Sequence, residues 1–341
     1  MKKSLIALAV LASTGAAMAQ SSVTLYGIVD VNLQSQKDEI NAGTSAAVRQ
    51  ASLSSGGVST SRWGLKGSED LGGGLKANFV LENGFDASTG AAAGALFNRQ
   101  SWVGFSGGFG EVRLGNDYTA RDDINGAAHA VFDSAFSPSV YIESGYNSNP
   151  NNQIKYLTPS FSGFSGAVSY ALGENKTATQ SAEGVAAVNV QYAAGPLYIG
   201  LAHQQDKKTF IATGKNNKDT FLNATYDLGV AKILASFRDV KNTVTNGSGY
   251  NSISYDKQRV YQIGADVPVG AALVVSAGYA HSKSELAGIN DVTGNGFAIG
   301  ASYSLSKRTS IYTALNYSKD KQDGAETLKS SVYAVGVRHS F

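Results

Sequence analysis

Apolar and polar residues alternate one against one along most of this chain. The clearest case is its last segment, Ser331 to Phe341. Tyr333, Val335, Val337, His339 and Phe341 share one parity there, and Ala334, Gly336, Arg338 and Ser340 share the other. A strand turns successive side chains to opposite faces, so one side of this segment is mainly apolar and the other small or charged. Roughly ten such residues, tilted, cross a bilayer. Val23 to Leu33 repeats the pattern, with Val23, Leu25, Val29, Val31 and Leu33 on one face. The same reading predicts strands over 61–67, 74–83, 99–106, 110–116, 153–159, 164–172 and 185–192. It continues over 196–203, 219–227, 230–238, 258–267, 272–281, 296–305 and 309–317, sixteen strands in all. Beyond the first residues no segment approaches ~18 consecutive apolar positions, which excludes membrane helices.

The connectors alternate as well. Short ones lie at 68–73, 107–109, 160–163, 193–195, 228–229, 268–271 and 306–308. Long polar ones lie at 34–60, 84–98, 117–152, 173–184, 204–218, 239–257, 282–295 and 318–330. A soluble β-sandwich lacks this asymmetry, whereas a barrel crossing the outer membrane requires it. Lipid leaves no backbone group room to go unpaired, so strand one must close against strand sixteen. The expected fold is all-β: a 16-stranded antiparallel transmembrane β-barrel with short periplasmic turns and long extracellular loops.

The first residues change the picture of where the chain travels. Lys2 and Lys3 precede an apolar run from Leu5 to Ala12, and Ala17-Met18-Ala19 forms a small-residue cleavage site before Gln20. This is a secretory signal peptide over 1–19, leaving 20–341 as a single barrel domain. With 39 glycines, 17 tyrosines and 14 phenylalanines against 5 prolines, the composition suits strands, tight turns and aromatic girdles. No cysteine is present, so no disulfide forms and no thiolate binds metal. Removing Lys2 and Lys3 takes the 28 basic residues to 26, equal to the 26 acidic ones. A neutral mature chain gives no reason to expect nucleic acid as a partner, and any charge function must come from local segregation.

Three stretches carry a family resemblance: Gly64-Leu65-Lys66-Gly67-Ser68-Glu69-Asp70-Leu71-Gly72-Gly73-Gly74, Asn98-Arg99-Gln100-Ser101-Trp102-Val103-Gly104, and Val335-Gly336-Val337-Arg338-His339-Ser340-Phe341. With these the chain resembles Gram-negative general porins, in particular the β-proteobacterial branch of neisserial and comamonad type. The resemblance implies an outer-membrane homotrimer of sixteen-stranded barrels passing small hydrophilic solutes. It also implies a third long loop folded into the lumen, its acids facing basic residues on the wall. The terminal strand, with Tyr333, Val335, Val337 and Phe341, is then the insertion signal read by the barrel-assembly machinery. Outer-membrane lipid and lipopolysaccharide are the expected surroundings.

Parity assigns faces independently of that resemblance. If Trp63 and Leu65 meet lipid, Arg62, Gly64 and Lys66 point inward. Trp102, read as lipid-facing, places Arg99 inside; Val112 and Leu114 leave Glu111 and Arg113 inside; Ile154 and Tyr156 leave Lys155 inside. A charge on the lipid face near mid-membrane costs ~2–4 kcal/mol, which favours the inward assignment each time. Arg62, Lys66, Arg99 and Arg113 are expected to form one basic wall, with Lys155 added. The alternative is scattered, solvated lumen charge. The answering acids are expected on the loop 117–152, which carries Asp117, Asp122, Asp123, Asp133 and Glu143 with Arg121 and His129. Its alternative is a solvated extracellular connector, although long unstructured connectors are usually functional. The resemblance sets Asp133 at the constriction and Asp122 or Asp123 nearer the wall. It sets His129 where related porins often carry another acid, which makes the opening more basic.

The remaining signals are weak. Gly104-Phe105-Ser106-Gly107-Gly108 matches a nucleophile elbow by letter but joins two strands where that motif needs a strand-to-helix turn. His129, His203, His281 and His339 show no metal spacing, Asn223-Ala224-Thr225 lies inside a strand, and Ser68 to Gly74 opens no helix. The reading is a non-enzymatic, cofactor-free, water-filled channel for passive diffusion of ions and small hydrophilic solutes. Modest selectivity for inorganic anions is expected from the inward excess of Arg and Lys. A substrate-specific channel is the alternative, ahead of an outer-membrane enzyme or an adhesin barrel.

Overall fold

The alternation closes into one antiparallel sheet in a computed structural model that describes residues 22–40, 47–174, 176–179, 182–207, 215–243, 255–323 and 325–341. The segment 1–19, expected to be a signal peptide, lies outside the described residues. The strand segments are β1 (Ser22–Ile40), β2 (Val48–Ser55), β3 (Arg62–Gly72), β4 (Leu75–Gly84), β5 (Gln100–Gly107) and β6 (Gly110–Asn116). There follow β7 (Gln153–Leu157), β8 (Phe164–Ala171), β9 (Val185–Ala194), β10 (Leu197–Asp206), β11 (Asn217–Asp227) and β12 (Lys232–Lys241). The last are β13 (Lys257–Val269), β14 (Leu273–Leu286), β15 (Ile289–Ser304), β16 (Thr309–Gln322) and β17 (Ala325–Ser340). Apart from β2 and β3, consecutive segments pair with each other, and β1 closes the sheet against β17 from Ile28↔Ser340 to Ile40↔Leu328.

The seventeen segments make sixteen staves. Both β2 and β3 lie on the same edge of β1, β2 against its upper half and β3 against its lower half. They are one strand interrupted at residues 56–61. The connector expected over 34–60 is therefore mostly sheet, because Arg49, Ala51 and Leu53 continue the outward parity of Lys37, Ser35 and Leu33. The connectors expected over 282–295 and 318–330 also shrink, since β14, β15, β16 and β17 run well past the length a bilayer needs.

Faces follow from register. Val31, Val337 and Ile311 stand side by side, as do Leu33, Val335 and Thr313, and these residues face outward. Val335 is 63 % exposed and Tyr333 51 %, part of a continuous apolar surface that suits the membrane-embedded outside of a barrel. One aromatic girdle runs through Phe237, Tyr261, Tyr279, Phe297 and Tyr317. A second, at the short-turn end, includes Phe105, Phe109, Phe161, Phe164, Tyr226, Tyr303 and Phe341. The chain ends inside the second girdle. Phe341 N–H donates to Gly27 O (3.0 Å) and Gly27 N–H to Phe341 O (3.1 Å), and a Cβ on Gly27 would strike the Phe341 ring at 2.3 Å.

The loop 117–152 folds into the lumen. It carries a 3-10 turn, Asp122–Ala128, and a short turn, Ala130–Asp133. Going out, it is held by side chains on one strand after another. Ala120 N–H donates to Ser169 Oγ on β8, Asn189 on β9 donates to Ala120 O, and Asn223 on β11 donates to Ile124 O. Gln262 on β13 donates to Ala128 O, Val131 N–H donates to Ser276 Oγ on β14, and Asn316 on β16 donates to Phe136 O and Ser137 O. It returns through Gln258 on β13 and Arg238 on β12 to Asp206 on β10. A loop touching staves this far around the wall must cross the interior. Buried backbone groups need partners, and these wall amides and hydroxyls supply them.

The candidate channel constriction

Small residues make the loop's seat. A Cβ on Gly296 would stand 1.8 Å from the Pro138 carbonyl oxygen, and one on Gly278 2.5 Å from Ala130 Cβ. Ala280 and Ala298, their neighbours in register, are fully buried beneath the loop. Pressed against this seat, Val131, Phe132 and Asp133 adopt three successive left-handed conformations, φ 58°, 67° and 49°. That geometry costs roughly 1–2 kcal/mol per residue for L-amino acids. It is held by the Val131–Ser276 bond (2.7 Å) and by His129 Nδ1 against Asp133 Oδ1 (2.7 Å). Its result is that Asp133 remains exposed at the loop surface while His129 is buried.

The expected basic wall divides into two groups. In the first, Glu82 on β4 receives Arg99 Nε at 2.7 Å and Arg62 Nε at 3.6 Å, and Tyr26 OH donates to it at 2.9 Å. The acid answering Arg62 and Arg99 thus comes from the wall and not from the loop. Lys66 lies over the Tyr26 ring at 5.2 Å, and Arg338 on β17 donates from Nε to Ser59 Oγ at 3.0 Å. In the second group, Arg113 is bound by Glu111 (2.9 Å) and Asp117 (3.1 Å). Lys155, only 1 % exposed, is bound by Asp123 (2.5 Å) and lies 3.7 Å from Asp117. These cations are neutralised where they stand.

Trp102 corrects the face assignment for β5. It is 7 % exposed and its ring lies 4.3 Å from the Arg113 guanidinium, so it points inward, with Val103 and Phe105 outward. Arg99 reaches Glu82 because it precedes the strand, which begins at Gln100, and is not bound by its parity. The planar guanidinium of Arg113 is what makes a tryptophan at home on the inner wall.

The loop acids also differ from one another. Asp122 accepts from Tyr146 OH, and burial pushes its carboxyl above the usual range. Desolvation pushes Asp123 up to about 6, with Lys155 pulling the other way. Burial opposes charge on His129, yet its hydrogen bond to Asp133 and their mutual attraction prevail. His129 is raised and Asp133 lowered from their ordinary values. Asp133 is therefore answered from within its own loop.

Parity did not find the clasp beneath the loop. Asp219 on β11 receives Arg121 Nε (3.0 Å) from the loop and Arg238 Nη2 (2.9 Å) from β12, and all three are nearly inaccessible. Tyr146 stacks on both guanidiniums, 4.0 Å from Arg121 and 5.2 Å from Arg238. The signal available was inward parity combined with Asn, Gln or Gly, as at Asn189, Asn223, Gln258, Gln262, Gly278 and Gly296.

Known proteins fit this architecture. A family model described as Gram-negative porin matches residues 4–323. The chain belongs to the Gram-negative porin family. Outer membrane porin protein 32 of Delftia acidovorans is 36 % identical over the full length of both chains. Major outer membrane protein P.IB of Neisseria meningitidis is 30 % identical, again over all of both. The solved anion-selective porin from Comamonas acidovorans is 32 % identical, covers 94 % of this chain and 100 % of its own, and superposes with a TM-score of 0.77. The protein is thus an outer-membrane porin, a channel for passive diffusion and not an enzyme. Ser106 of the elbow-like motif accepts from Asn78 Nδ2 (2.8 Å) beside a strand-to-strand turn. Among the described residues no cluster of His, Asp and Glu is arranged to hold a metal.

Proposed function

We propose that this porin conducts small hydrophilic solutes with a modest preference for inorganic anions. Its constriction is formed by Arg62, Lys66 and Arg99, joined by Arg338, facing the loop residues His129 and Asp133. The observation that carries this reading is the imbalance around Glu82, where one wall carboxylate meets the two guanidiniums of Arg62 and Arg99 while Asp133 is already bound to His129. Arg113 and Lys155 contribute less, because Glu111, Asp117 and Asp123 answer them. In a narrow aqueous path with low-dielectric walls, uncompensated cations concentrate anions. The anion-selective Comamonas porin, at 32 % identity, supports the same sign. The reversal potential of single channels in a potassium chloride gradient tests it. A chloride-favouring value that declines in Arg62→Ala/Arg99→Ala is expected, and a potassium-favouring value in the unmutated channel refutes it.

The same reading includes membership of the β-proteobacterial branch, supported by the Delftia and Neisseria relatives. It includes cleavage after Ala19, a homotrimer set among lipopolysaccharide, and insertion by the barrel-assembly machinery through Tyr333, Val335, Val337 and Phe341. Amino-terminal sequencing of the mature protein and its mass in mild detergent check the cleavage and the trimer.

A further inference from the structure

The break between β2 and β3 is an insertion with a fixed direction. Ile28 pairs with Arg62 and Val31 with Ser55, so two residues of β1, Val29 and Asp30, face the six residues 56–61. A surplus of four cannot lie in the ladder. Turned outward it would carry unpaired backbone into lipid, so it turns inward. Asp30, fully buried, receives it. Its Oδ2 accepts Val58 N–H (2.9 Å) and Ser59 N–H (2.7 Å), and its Oδ1 accepts Tyr312 OH (2.5 Å). Its backbone is engaged too, by Gly56 N–H at 2.9 Å and by Ser61 Oγ. Gly57 has no room for a side chain, since a Cβ would stand 2.2 Å from Tyr312 Oη and 2.8 Å from Asn32 Nδ2.

The insert touches both sides of the channel. Gly57 O accepts Ala135 N–H (3.0 Å) from the inward loop, and Val58 packs against the cluster that includes Phe136 and Tyr312. Ser59 Oγ receives Arg338 Nε (3.0 Å), and Thr60 O lies 3.5 Å from Arg62 Nη1. Bulges of this kind commonly re-aim side chains beside functional sites.

We propose that Asp30 is the positioning residue of the channel: it holds the 56–61 insert in the lumen, where the insert braces the tip of the 117–152 loop and aims Arg62 and Arg338 at the solute path. Carboxylates accepting several N–H and O–H bonds make strong anchors, and here one anchor ties the insert between β2 and β3 to Tyr312 on β16. Asp30 itself does not meet solute.

The test is single-channel recording of Asp30→Asn and Tyr312→Phe. In Asp30→Asn the anchor loses its charge; the carboxamide oxygen can still take the two backbone N–H groups, but its NH₂ meets Tyr312 only if the hydroxyl turns from donor to acceptor, so the anchor is weakened. The expected result is a reversal potential displaced toward cations and a noisier open state than in the parent channel. Tyr312→Phe removes one bond only and should displace both in the same direction by less. A merely structural Asp30 would lower yield and heat resistance while the surviving channels kept parental selectivity and noise, and that result overturns the proposal. Should Asp30→Asn fail to fold, Tyr312→Phe and Gly57→Ala decide by the same readouts, unchanged values again overturning it. The parental reversal potential tests the anion preference; the displacement from it tests the role of Asp30, so either can fail alone.

Discussion

Replacing Asp219 by asparagine should unfasten the inward loop without removing any residue from the solute path. Asp219 clips both limbs of the loop. Arg121 belongs to the outgoing limb, and Arg238 binds the returning limb through Ser144 O and Gly145 O. The two guanidinium nitrogens sit 3.0 Å and 2.9 Å from the same oxygen, Oδ2. They are thus separated by no more than about 6 Å, where two unit charges at an effective dielectric of 20 repel by about 3 kcal/mol. Breaking a buried ion pair by removing one partner typically costs ~3–5 kcal/mol. Glu143, 3.8 Å from Arg238 Nη1, offsets part of this. A cost of ~3 kcal/mol multiplies the population of a detached loop about a hundredfold, since each 1.4 kcal/mol is a factor of ten. The barrel itself, held by its ladders, should still form. Planar-bilayer recordings of Asp219→Asn should show frequent brief closures absent from the parent. Steady openings with parental conductance and noise would refute the clasp.

Three further perturbations follow from the same geometry. Gly296→Val puts side-chain carbon where the Pro138 carbonyl now sits, 1.8 Å from its oxygen. Overpacking of this kind costs about 1–3 kcal/mol, and the loop should shift into the lumen with a fall in single-channel conductance; an unchanged conductance would contradict the seat. Asp123 has a carboxyl raised from 3.8 to about 6, so the folded chain pays for its charge above pH ~6 and is relieved of that cost as the pH falls toward 4. Protonation there leaves Lys155 less well answered, so anion preference should rise on acidification through about pH 6, and the step should shrink in Asp123→Asn; an undiminished step would contradict the assignment. Deleting Phe341 removes the paired bonds to Gly27 and an aromatic from the lower girdle; outer-membrane yield should fall sharply, and parental levels would sink the idea.

The wall was legible because strand periodicity is two and lipid penalises charge. Leu25, Leu65, Leu114 and Ile154 all face outward as their parity requires. The two failures have distinct causes. Trp102 was assigned to lipid on chemical type alone, whereas its position opposite Gly115 and beside Arg113 gives it an inward partner that the local sequence does not reveal. The first hairpin was cut short because Val48–Ser55 alternates serine and glutamine with single apolar residues, a pattern as polar as a loop. The course of the inward loop was not legible. Its supports are partners 99 residues away at Asn223 and 145 away at Ser276, and a long-range hydrogen bond leaves no local periodicity.

The charge at the proposed constriction shows why counting residues misleads in a pore. Over residues 20–341 the chain has as many acids as bases, which taken alone argues for no selectivity. Position reorders that tally. Arg113, Arg121, Arg238 and Lys155 each stand against a carboxylate within about hydrogen-bond reach, and Arg121, Arg238 and Lys155 are buried. Asp133, on the loop surface, is matched by His129. Arg62, Arg99 and Arg338 stand on the opposite side with Glu82 and a serine hydroxyl for company. Ions in the path feel most strongly the charges within about 10 Å at 0.1 M salt, so an equal number of acids at the outer loops does little to cancel this cluster. The insert held by Asp30 therefore matters beyond its size: it determines whether Arg62 and Arg338 belong to the group that the solute meets or to the group buried in the wall.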